Sequence, residues 1–226
     1  MLIKGVARSP SRSRPSDLLL KQQRNCRDAF GAPQTVIALH EVGHFHPVLR
    51  IRYDSWMWTV RRYELRDAPL LLDLFRDTIR RVNSKDYSPA QIAAWASDEI
   101  DPEAWANRFT GRLVLVAVSA IPESKLPDSK PTPGFRLGGF CDLEPSGHLD
   151  RFYVSADCQG LGIGRLLFEH LQAEIRDWPI DRIWTEASIT ARPFFERIGF
   201  ELIRPQTVLC RGVEFLSYQM QWHRRG

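Results

Sequence analysis

The glycine-rich residues 159–164 constrain this chain more than any other stretch, and we call them the glycine loop. They follow an apolar run at residues 149–154 and precede an amphipathic run at residues 165–175. A strand, a glycine turn and a helix N-terminus in that order form an anion site, because the first amides of a helix lack main-chain partners and carry partial positive charge. Gly162 and Gly164 also lack the β-carbons that would hold a phosphate away from the main chain. The pattern therefore predicts a phosphate-binding loop.

Two other kinds of phosphate loop fit these residues less well. A Walker A loop ends in Gly-Lys-Ser/Thr, whereas Gly164 is followed here by Arg165 and Leu166. A dinucleotide-binding turn has the spacing Gly-x-Gly-x-x-Gly, which the glycines at positions 160, 162 and 164 do not have, although Asp181 supplies a later carboxylate. For the loop taken alone, a turn that merely joins a strand to a helix stays the alternative.

A second strand and helix follow at residues 182–200. Ser188 or Thr190 can cap a helix, and Pro193 fits its first turn. Gly199 provides the left-handed stop that ends the helix. The chain therefore repeats a strand–turn–helix unit after the glycine loop.

The two units together resemble one protein family. The pattern Gln-x-x-Gly-x-Gly, after a strand that ends in Phe152-Tyr153-Val154, resembles the coenzyme A pyrophosphate loop of the GNAT superfamily, the GCN5-related N-acetyltransferases. Residues 188–200 are similar to the late helix of that family and to the Gly-Phe that ends it. The resemblance covers residues 57–222 and implies an α/β (α+β) fold, with a mixed central sheet of about six to seven strands flanked by helices.

The resemblance implies an N-acetyltransferase that moves the acetyl group of acetyl-CoA, by direct attack, to the primary amine of a small molecule or a protein. The implied coenzyme-binding residues are Phe152, Tyr153, Val154, Gln159, Gly160, Leu161, Gly162, Ile163, Gly164 and Ser188. Ser188 stands where the family has an asparagine, and Phe195 stands where it commonly has the tyrosine that protonates the leaving thiolate. These two departures leave a non-catalytic acyl-CoA-binding regulatory module as the alternative.

Direct attack requires a general base. An ammonium cannot attack, and a lysine-like amine has a pKa near ~10.4. His148, Asp150 and Glu186 lie on expected strands near the cleft, and Tyr218, Tyr153 or water could replace the missing acid. We take Tyr218, Asp150 and Glu186 as the candidate catalytic residues, with a packing or solvated role as the alternative for each.

The acceptor is hardly visible in the sequence. Residues 84–109 are predicted to be helical, with Ser88 as a cap and Trp95 and Trp105 as apolar anchors. Four carboxylates lie in the same segment: Asp98, Glu99, Asp101 and Glu103. They could attract a cationic amine, but helix capping is the interpretation that we favour.

The positive charge of the chain is concentrated at its N-terminus. Residues 1–56 hold nine Lys and Arg and four Asp and Glu, whereas the remaining residues hold 22 and 23. The folded part therefore has no nucleic-acid signature, and we do not expect a nucleic-acid partner. Residues 9–16 are polar and contain prolines, which is typical of disorder. We predict a poorly ordered basic extension at residues 1–56 and an N-acetyltransferase domain at residues 57–226.

The sequence also bears on location and metal content. We expect no membrane contact, since no apolar run approaches the ~20 residues of a membrane span. The four cysteines lie far apart, which favours reduced thiols in a cytoplasmic protein. The motif from His40 to His44 matches the His-Glu-x-x-His pattern of zinc proteases, but Pro47 and Arg50 stand where the longer pattern needs glycine and histidine. We therefore predict no metal site. The resemblance to the GNAT superfamily also allows a homodimer.

Overall fold

The computed structural model describes residues 34–35, 51–53, 56–120 and 134–224. The strands are β1 (Gln34–Thr35), β2 (Ile51–Tyr53), β3 (Trp56–Arg62), β4 (Leu113–Ala120), β5 (Phe135–Leu143), β6 (Leu149–Val154), β7 (Arg182–Ser188), β8 (Glu201–Cys210) and β9 (Val213–His223). The α-helices are α1 (Ala68–Arg81), α2 (Pro89–Trp95), α3 (Pro102–Asn107), α4 (Ile163–Glu174) and α5 (Arg192–Arg197).

The strands form two antiparallel sheets. Strands β1 to β6 follow one another in chain order in the first sheet, and the second has the order β7-β9-β8. The sheets meet at a parallel bridge between His148 and Trp184. Helix α4 connects β6 to β7, so these parallel neighbours form a β-α-β crossover. The predicted α/β (α+β) fold class is confirmed, although its strands are split between two sheets.

Strand β4 explains why helices cover both faces of the first sheet. Leu113 and Leu115 on β4 pack into a cluster with Leu166 and Leu171 of α4. Val116, on the opposite face of the strand, packs into a second cluster, whose members on α1 are Ala68, Leu71, Leu72, Leu74, Phe75 and Ile79. Side chains alternate along a strand, so a run that is apolar at every position is buried on both faces. The apolar sequence of β4 therefore places α4 on one side of the sheet and α1 on the other.

The helical segment that we predicted at residues 84–109 is interrupted. Ser88 caps α2 as expected, since its hydroxyl accepts the Gln91 N–H at 3.3 Å and its own N–H donates to the Gln91 side chain at 2.9 Å. Helix α2 ends at Trp95, and α3 begins only at Pro102, with the Asp101 carboxylate as its cap. A residue before proline avoids helical geometry, which accounts for the break at Asp101.

The predicted domain boundary at residue 57 falls inside β3. The strand β3 begins at Trp56, and β2 pairs with it in the register Ile51 to Trp58. The sheet therefore extends into the segment that we predicted to be a poorly ordered extension, most of which lies outside the described residues. His40 and His44 also lie outside them. Within the described ranges, no helix is long and apolar enough to cross a membrane.

Candidate active site

The start of β6 touches the middle of β7, and beyond this point the two strands separate. The Trp184 N–H donates to the Gly147 carbonyl at 3.0 Å, and the Thr185 hydroxyl donates to the Leu149 carbonyl at 2.8 Å. Beyond these bonds, β6 pairs only with β5, and β7 only with β9, within the described residues. Asp150 is an extra residue in β6, because Arg151 and Leu149 face consecutive residues of β5. Such a bulge bends a strand, and here it accompanies the divergence of the two strands.

A cleft of about 1090 Å³ opens between the separated strands. One part, which we call the loop half, is lined by residues 159–160 and 162–165 and by residues 193–195 and 197 of α5, whereas Leu161 packs against the core. The other part, which we call the hairpin half, is lined by Tyr87, Trp95, Phe215 and Glu186. The first lies where β6 runs into α4, and the second lies beneath the β8–β9 hairpin.

The loop half is built from main chain. Gly160 and Gly162 have φ angles of 78° and 80°, a left-handed geometry that glycine adopts without strain. Helix α4 begins directly after Gly162, and its first turn contains no acidic residue. Helices usually place carboxylates there, since these balance the partial positive charge of the free N–H groups. The uncompensated N-terminus of α4 is therefore suited to an anionic ligand.

Two side chains fix the glycine loop in place. The Val154 carbonyl accepts hydrogen bonds from the Gln159 side chain at 2.7 Å and from the Thr78 hydroxyl at 3.2 Å. The Gln159 amide is therefore turned back onto β6, and this residue offers a ligand its main-chain N–H. At Gly164, a β-carbon would lie 2.8 Å from the Phe194 ring, so this glycine also permits close packing of α4 against α5.

The hairpin half is built from side chains. Tyr87, Trp95 and Phe215 form an aromatic cluster with ring centroids 5.3 to 5.8 Å apart. Helix α2 is tied to the hairpin above it, since the Gln91 side chain donates to the Glu214 carbonyl at 2.8 Å. The aromatic cluster and this tie close the hairpin half from above.

Tyr87 joins three separate segments of the hairpin half. Its hydroxyl accepts the Ile189 N–H at 2.8 Å and donates to the Leu216 carbonyl at 3.4 Å. Burial raises the pKa of Tyr87, so the phenol is a proton donor at neutral pH. The residue holds the C-terminal end of β7 against β9.

Glu186 presents its carboxylate to the hairpin half of the cleft. Its Oε2 lies 2.9 Å from His148 Nε2, and the His148 ring stacks on Trp184 with centroids 3.9 Å apart and planes at 14°. Burial favours the neutral imidazole, but the hydrogen bond and the charge of Glu186 outweigh it and raise the pKa of His148 above 6.5. The carboxylate and the imidazole therefore form a coupled pair beside the cleft.

Known proteins resemble this chain in sequence and in fold. The family model described as an acetyltransferase (GNAT) domain matches residues 132–222. A curated relative, the uncharacterized N-acetyltransferase YafP of Escherichia coli K12, is 29% identical over 163 residues, which cover 72% of this chain and 94% of the relative. A GCN5-related N-acetyltransferase of Rhodopseudomonas palustris superposes with a TM-score of 0.62 at 26% identity, covering 73% of this chain and 94% of that one.

The family model, the curated relative and the superposed structure together support the GNAT superfamily for this chain. The chain is therefore an acetyl-CoA-dependent acyltransferase, the enzyme class of this superfamily. A more distant structure, the PaiA N-acetyltransferase of Thermoplasma acidophilum in complex with coenzyme A, shares the fold with a TM-score of 0.54 at 17% identity, covering 74% of this chain and 99% of that chain. The resemblance predicted from the glycine loop and the late helix is therefore confirmed.

The two residues that depart from the GNAT pattern have structural roles. Phe195 is 3% exposed and packs against Phe152 and Phe200, with ring centroids 5.7 and 5.0 Å away. The Ser188 hydroxyl accepts the Ala191 N–H at 3.1 Å, which stabilises the turn before α5. Phe195 therefore supplies apolar packing, and Ser188 fixes the end of β7.

Asp150 lies in the cleft lining but in an ion cluster. Its Oδ2 accepts hydrogen bonds from Arg112 at 2.8 Å and from Arg151 at 3.1 Å. Burial raises the pKa of Asp150, but the neighbouring guanidinium groups outweigh it and hold the pKa below its usual range. A carboxylate stabilised in this way is a weak base, so the structure does not favour the predicted catalytic role.

Tyr218 lies on the face of the second sheet away from Glu186. It stands opposite Ala187 in the ladder, and side chains alternate in direction along a strand. Its ring packs into the core that contains α4, and the Arg192 guanidinium lies 4.6 Å from the ring centroid. Tyr218 is absent from the cleft lining, so the geometry favours the packing interpretation over catalysis.

Two of the predicted acidic residues serve the helices. Asp98 forms an ion pair with Arg80 at 2.6 Å, and the Asp101 carboxylate accepts the Ala104 N–H at 2.6 Å. Glu99 and Asp101 both lie in the cleft lining. Asp101 therefore caps α3, which is the interpretation that we favoured, whereas Asp98 pairs with Arg80 of α1.

The sequence did not reveal Tyr87 as a residue of the cleft. Its partners Ile189 and Leu216 lie more than a hundred positions away. A chain position that contacts distant segments carries no local spacing signal of the kind that the glycine loop has. Only the neighbouring cap at Ser88 indicated that this segment is ordered.

Proposed function

We propose that this GNAT domain transfers the acetyl group of acetyl-CoA to a primary amine by direct attack, with Glu186 as the general base. One observation carries the proposal. A helix N-terminus without acidic residues and a carboxylate paired with an imidazole line a single cleft between separated strands. The first suits a diphosphate, and the second suits an ammonium that has to lose a proton.

The residues present fit the coenzyme. The main-chain N–H groups of residues 159–160 and 162–164 would hold its pyrophosphate, since left-handed glycines and a helix start without carboxylates line that part of the cleft. The Leu161 N–H donates to the Cys158 carbonyl at 3.4 Å instead. The backbone of residues 152–154 would hold the pantetheine arm, since β6 has no strand partner on the side that faces β7. The PaiA relative of the same fold, solved in complex with coenzyme A, supports this reading.

Each remaining step falls to a group of the chain. Bound acetyl-CoA supplies the acetyl group as a thioester. Glu186 removes a proton from the acceptor ammonium, directly or through a water molecule. Main-chain N–H groups of β6 that face the cleft stabilise the negative charge on the carbonyl oxygen. Phe195 has no proton to give, but a thiol pKa near ~8.5 lets the thiolate leave without a strong acid.

Binding and turnover together test the proposal. Calorimetry should show that the purified protein binds acetyl-CoA, and a thiol-release assay with a panel of small and peptide amines should show turnover with at least one of them. Binding without turnover on any amine would favour the regulatory module that Phe195 and Ser188 leave open. No binding at all would contradict both functions.

The cell compartment and the assembly stay predictions. Cys141, Cys158 and Cys210 are free thiols, which supports a reducing compartment such as the cytoplasm. A homodimer is compatible with the proposed chemistry, because every group named in it belongs to a single chain.

A further inference from the structure

The proposed reaction produces a proton that has to leave the cleft. When an acetyl group moves from a thioester to an ammonium, an N–C bond forms and the C–S bond breaks. Two protons leave the nitrogen; one ends on the thiol, and the other is released to solvent. Glu186 can hold that proton for one turnover only, so it needs a route for returning to the carboxylate form.

A row of three side chains runs from the cleft to the surface. Glu186 lies in the cleft lining, and its Oε2 is 2.9 Å from His148 Nε2. The other ring nitrogen, His148 Nδ1, is 3.6 Å from Oε1 of Glu144. Glu144 belongs to the turn between β5 and β6 and lies outside the cleft lining. Its side chain is 32% exposed and that of Glu186 is 28% exposed, but only Glu144 keeps its access to solvent when substrates fill the cleft.

We propose that His148 relays the proton from Glu186 to solvent at the Glu144 turn. The inference rests on the proposed function, because it assigns the step that restores the general base of that reaction. In this step Nε2 of the neutral imidazole accepts the proton from the Glu186 carboxylic acid. Nδ1 then releases its own proton to water beside Glu144, which leaves a neutral ring with its proton on Nε2. The ring has to return to the tautomer with its proton on Nδ1 before it accepts the next proton.

The surroundings of His148 suit a relay. Trp184 stacks on the ring and fixes its plane, so both ring nitrogens stay aligned with their carboxylates. Three carboxylates stabilise the imidazolium that forms during the transfer: Glu186, Asp150 and Glu144. Arg112 pairs with Glu144 at 2.8 Å and also binds Asp150. Its positive charge therefore balances the negative charges of these two carboxylates.

The neutral imidazole is the form that accepts a proton, which gives the relay a pH signature. The carboxylates hold the pKa of His148 above 6.5. At saturating substrates, kcat should therefore fall as the pH decreases through that raised value, because His148 is then already protonated. As pH rises, the ring becomes neutral and the rate reaches its plateau.

The variant His148→Gln tests the relay. Glutamine keeps a donor for Glu186 but cannot pass a proton on, so kcat should fall about tenfold to a hundredfold at pH 7.5. The acid limb of the kcat profile should disappear, and the Kd for acetyl-CoA should not change. The control is His223→Gln, because His223 is an exposed histidine at the end of β9 that touches none of these groups. A His148→Gln enzyme with the rate and pH profile of the wild type would overturn the relay.

Two further measurements keep the inference testable if His148→Gln folds poorly. Added imidazole should restore activity to His148→Ala in a concentration-dependent way, which a merely structural role would not allow. In Glu144→Gln, the acid limb should move to lower pH, since a carboxylate that favours the imidazolium is gone. An unmoved limb, or no response to imidazole in a folded variant, would contradict the relay. Turnover by the wild type separates these outcomes from a failure of the proposed function, which would leave the wild type inactive.

Discussion

The two halves of the cleft are built by different means. The loop half offers main-chain N–H groups, held by left-handed glycines and by the start of α4. The hairpin half offers side chains from three separate segments, among them Tyr87, Trp95 and Phe215. A site made of main-chain groups tolerates most neighbouring substitutions but depends on its glycines. The specificity of a site made of side chains can change with each single substitution.

This difference separates the two ligands of the proposed reaction. The coenzyme would be held by groups that every residue type possesses, and the acceptor by groups that differ from chain to chain. A change in the loop half should therefore affect coenzyme affinity with every acceptor. A change in the hairpin half should alter the acceptor parameters and leave the affinity for coenzyme as it was.

The largest effect is expected at Gly162. Gly162→Asp places a side chain at a φ of 80° and a negative charge at the start of α4, so binding of acetyl-CoA should weaken by at least about 100-fold. Calorimetry measures this directly. Gly111→Asp is the matched control, since Gly111 has a φ of 73° and no atom within 4 Å of an added β-carbon. Unchanged affinity in Gly162→Asp would refute the assignment of the phosphate loop.

Glu186→Gln should separate chemistry from binding. The variant loses the proposed base, so kcat should fall by about 100-fold or more while the Kd for acetyl-CoA stays the same. Steady-state kinetics together with calorimetry test both parts. Glu201→Gln, at an exposed position at the start of β8, should behave as the wild type. A kcat within a few-fold of the wild type would remove Glu186 from the mechanism.

A smaller effect is expected from Trp95→Ala. Trp95 lies in the lining of the hairpin half and packs against Tyr87 and Phe215, so its loss should raise the KM for the acceptor about tenfold. The coenzyme affinity should not change. Trp178→Ala removes a partly buried tryptophan from the other core and controls for lost stability. An equal rise in acceptor KM in both variants would show that Trp95 acts through folding alone.

The same contrast explains how much could be predicted from the sequence. The glycine loop was predictable, because a strand end, three glycines and a helix start follow one another directly in the sequence. The spacing of the glycines is enough to indicate the geometry of the loop. Strand β4 was predictable for a similar reason, since an unbroken apolar run fits burial on both faces. The loop half and the fold class therefore followed from local patterns.

The hairpin half could not be predicted in this way. Glu186 and Tyr218 were both plausible strand residues, and only the register of β7 against β9 places them on opposite faces. Asp150 was plausible as a base until its ion pairs with Arg112 and Arg151 were known, and Arg112 comes from a distant part of the chain. Ionisation depends on such tertiary neighbours, so the sequence could name the candidates but not choose among them.

The smallest effect on activity is expected where the chain departs most clearly from its family. Phe195→Tyr restores the hydroxyl that GNAT enzymes commonly have, yet Phe195 is 3% exposed among the rings of Phe152, Phe194 and Phe200. A hydroxyl added there without a hydrogen-bond partner should cost about 1–3 kcal/mol of stability. We therefore expect kcat to change less than about threefold, because a thiolate with a pKa near ~8.5 leaves without an acid.

Thermal unfolding and thiol-release kinetics measure the two parts of this prediction separately. Phe168→Tyr provides the control for stability, since Phe168 is buried in the same core and lies outside the cleft lining. Similar losses of stability in both variants with unchanged kcat would show that the loop half works through its main chain alone. A large rise in kcat in Phe195→Tyr would mean instead that the phenol reaches the leaving group, so that this half of the cleft also depends on a side chain.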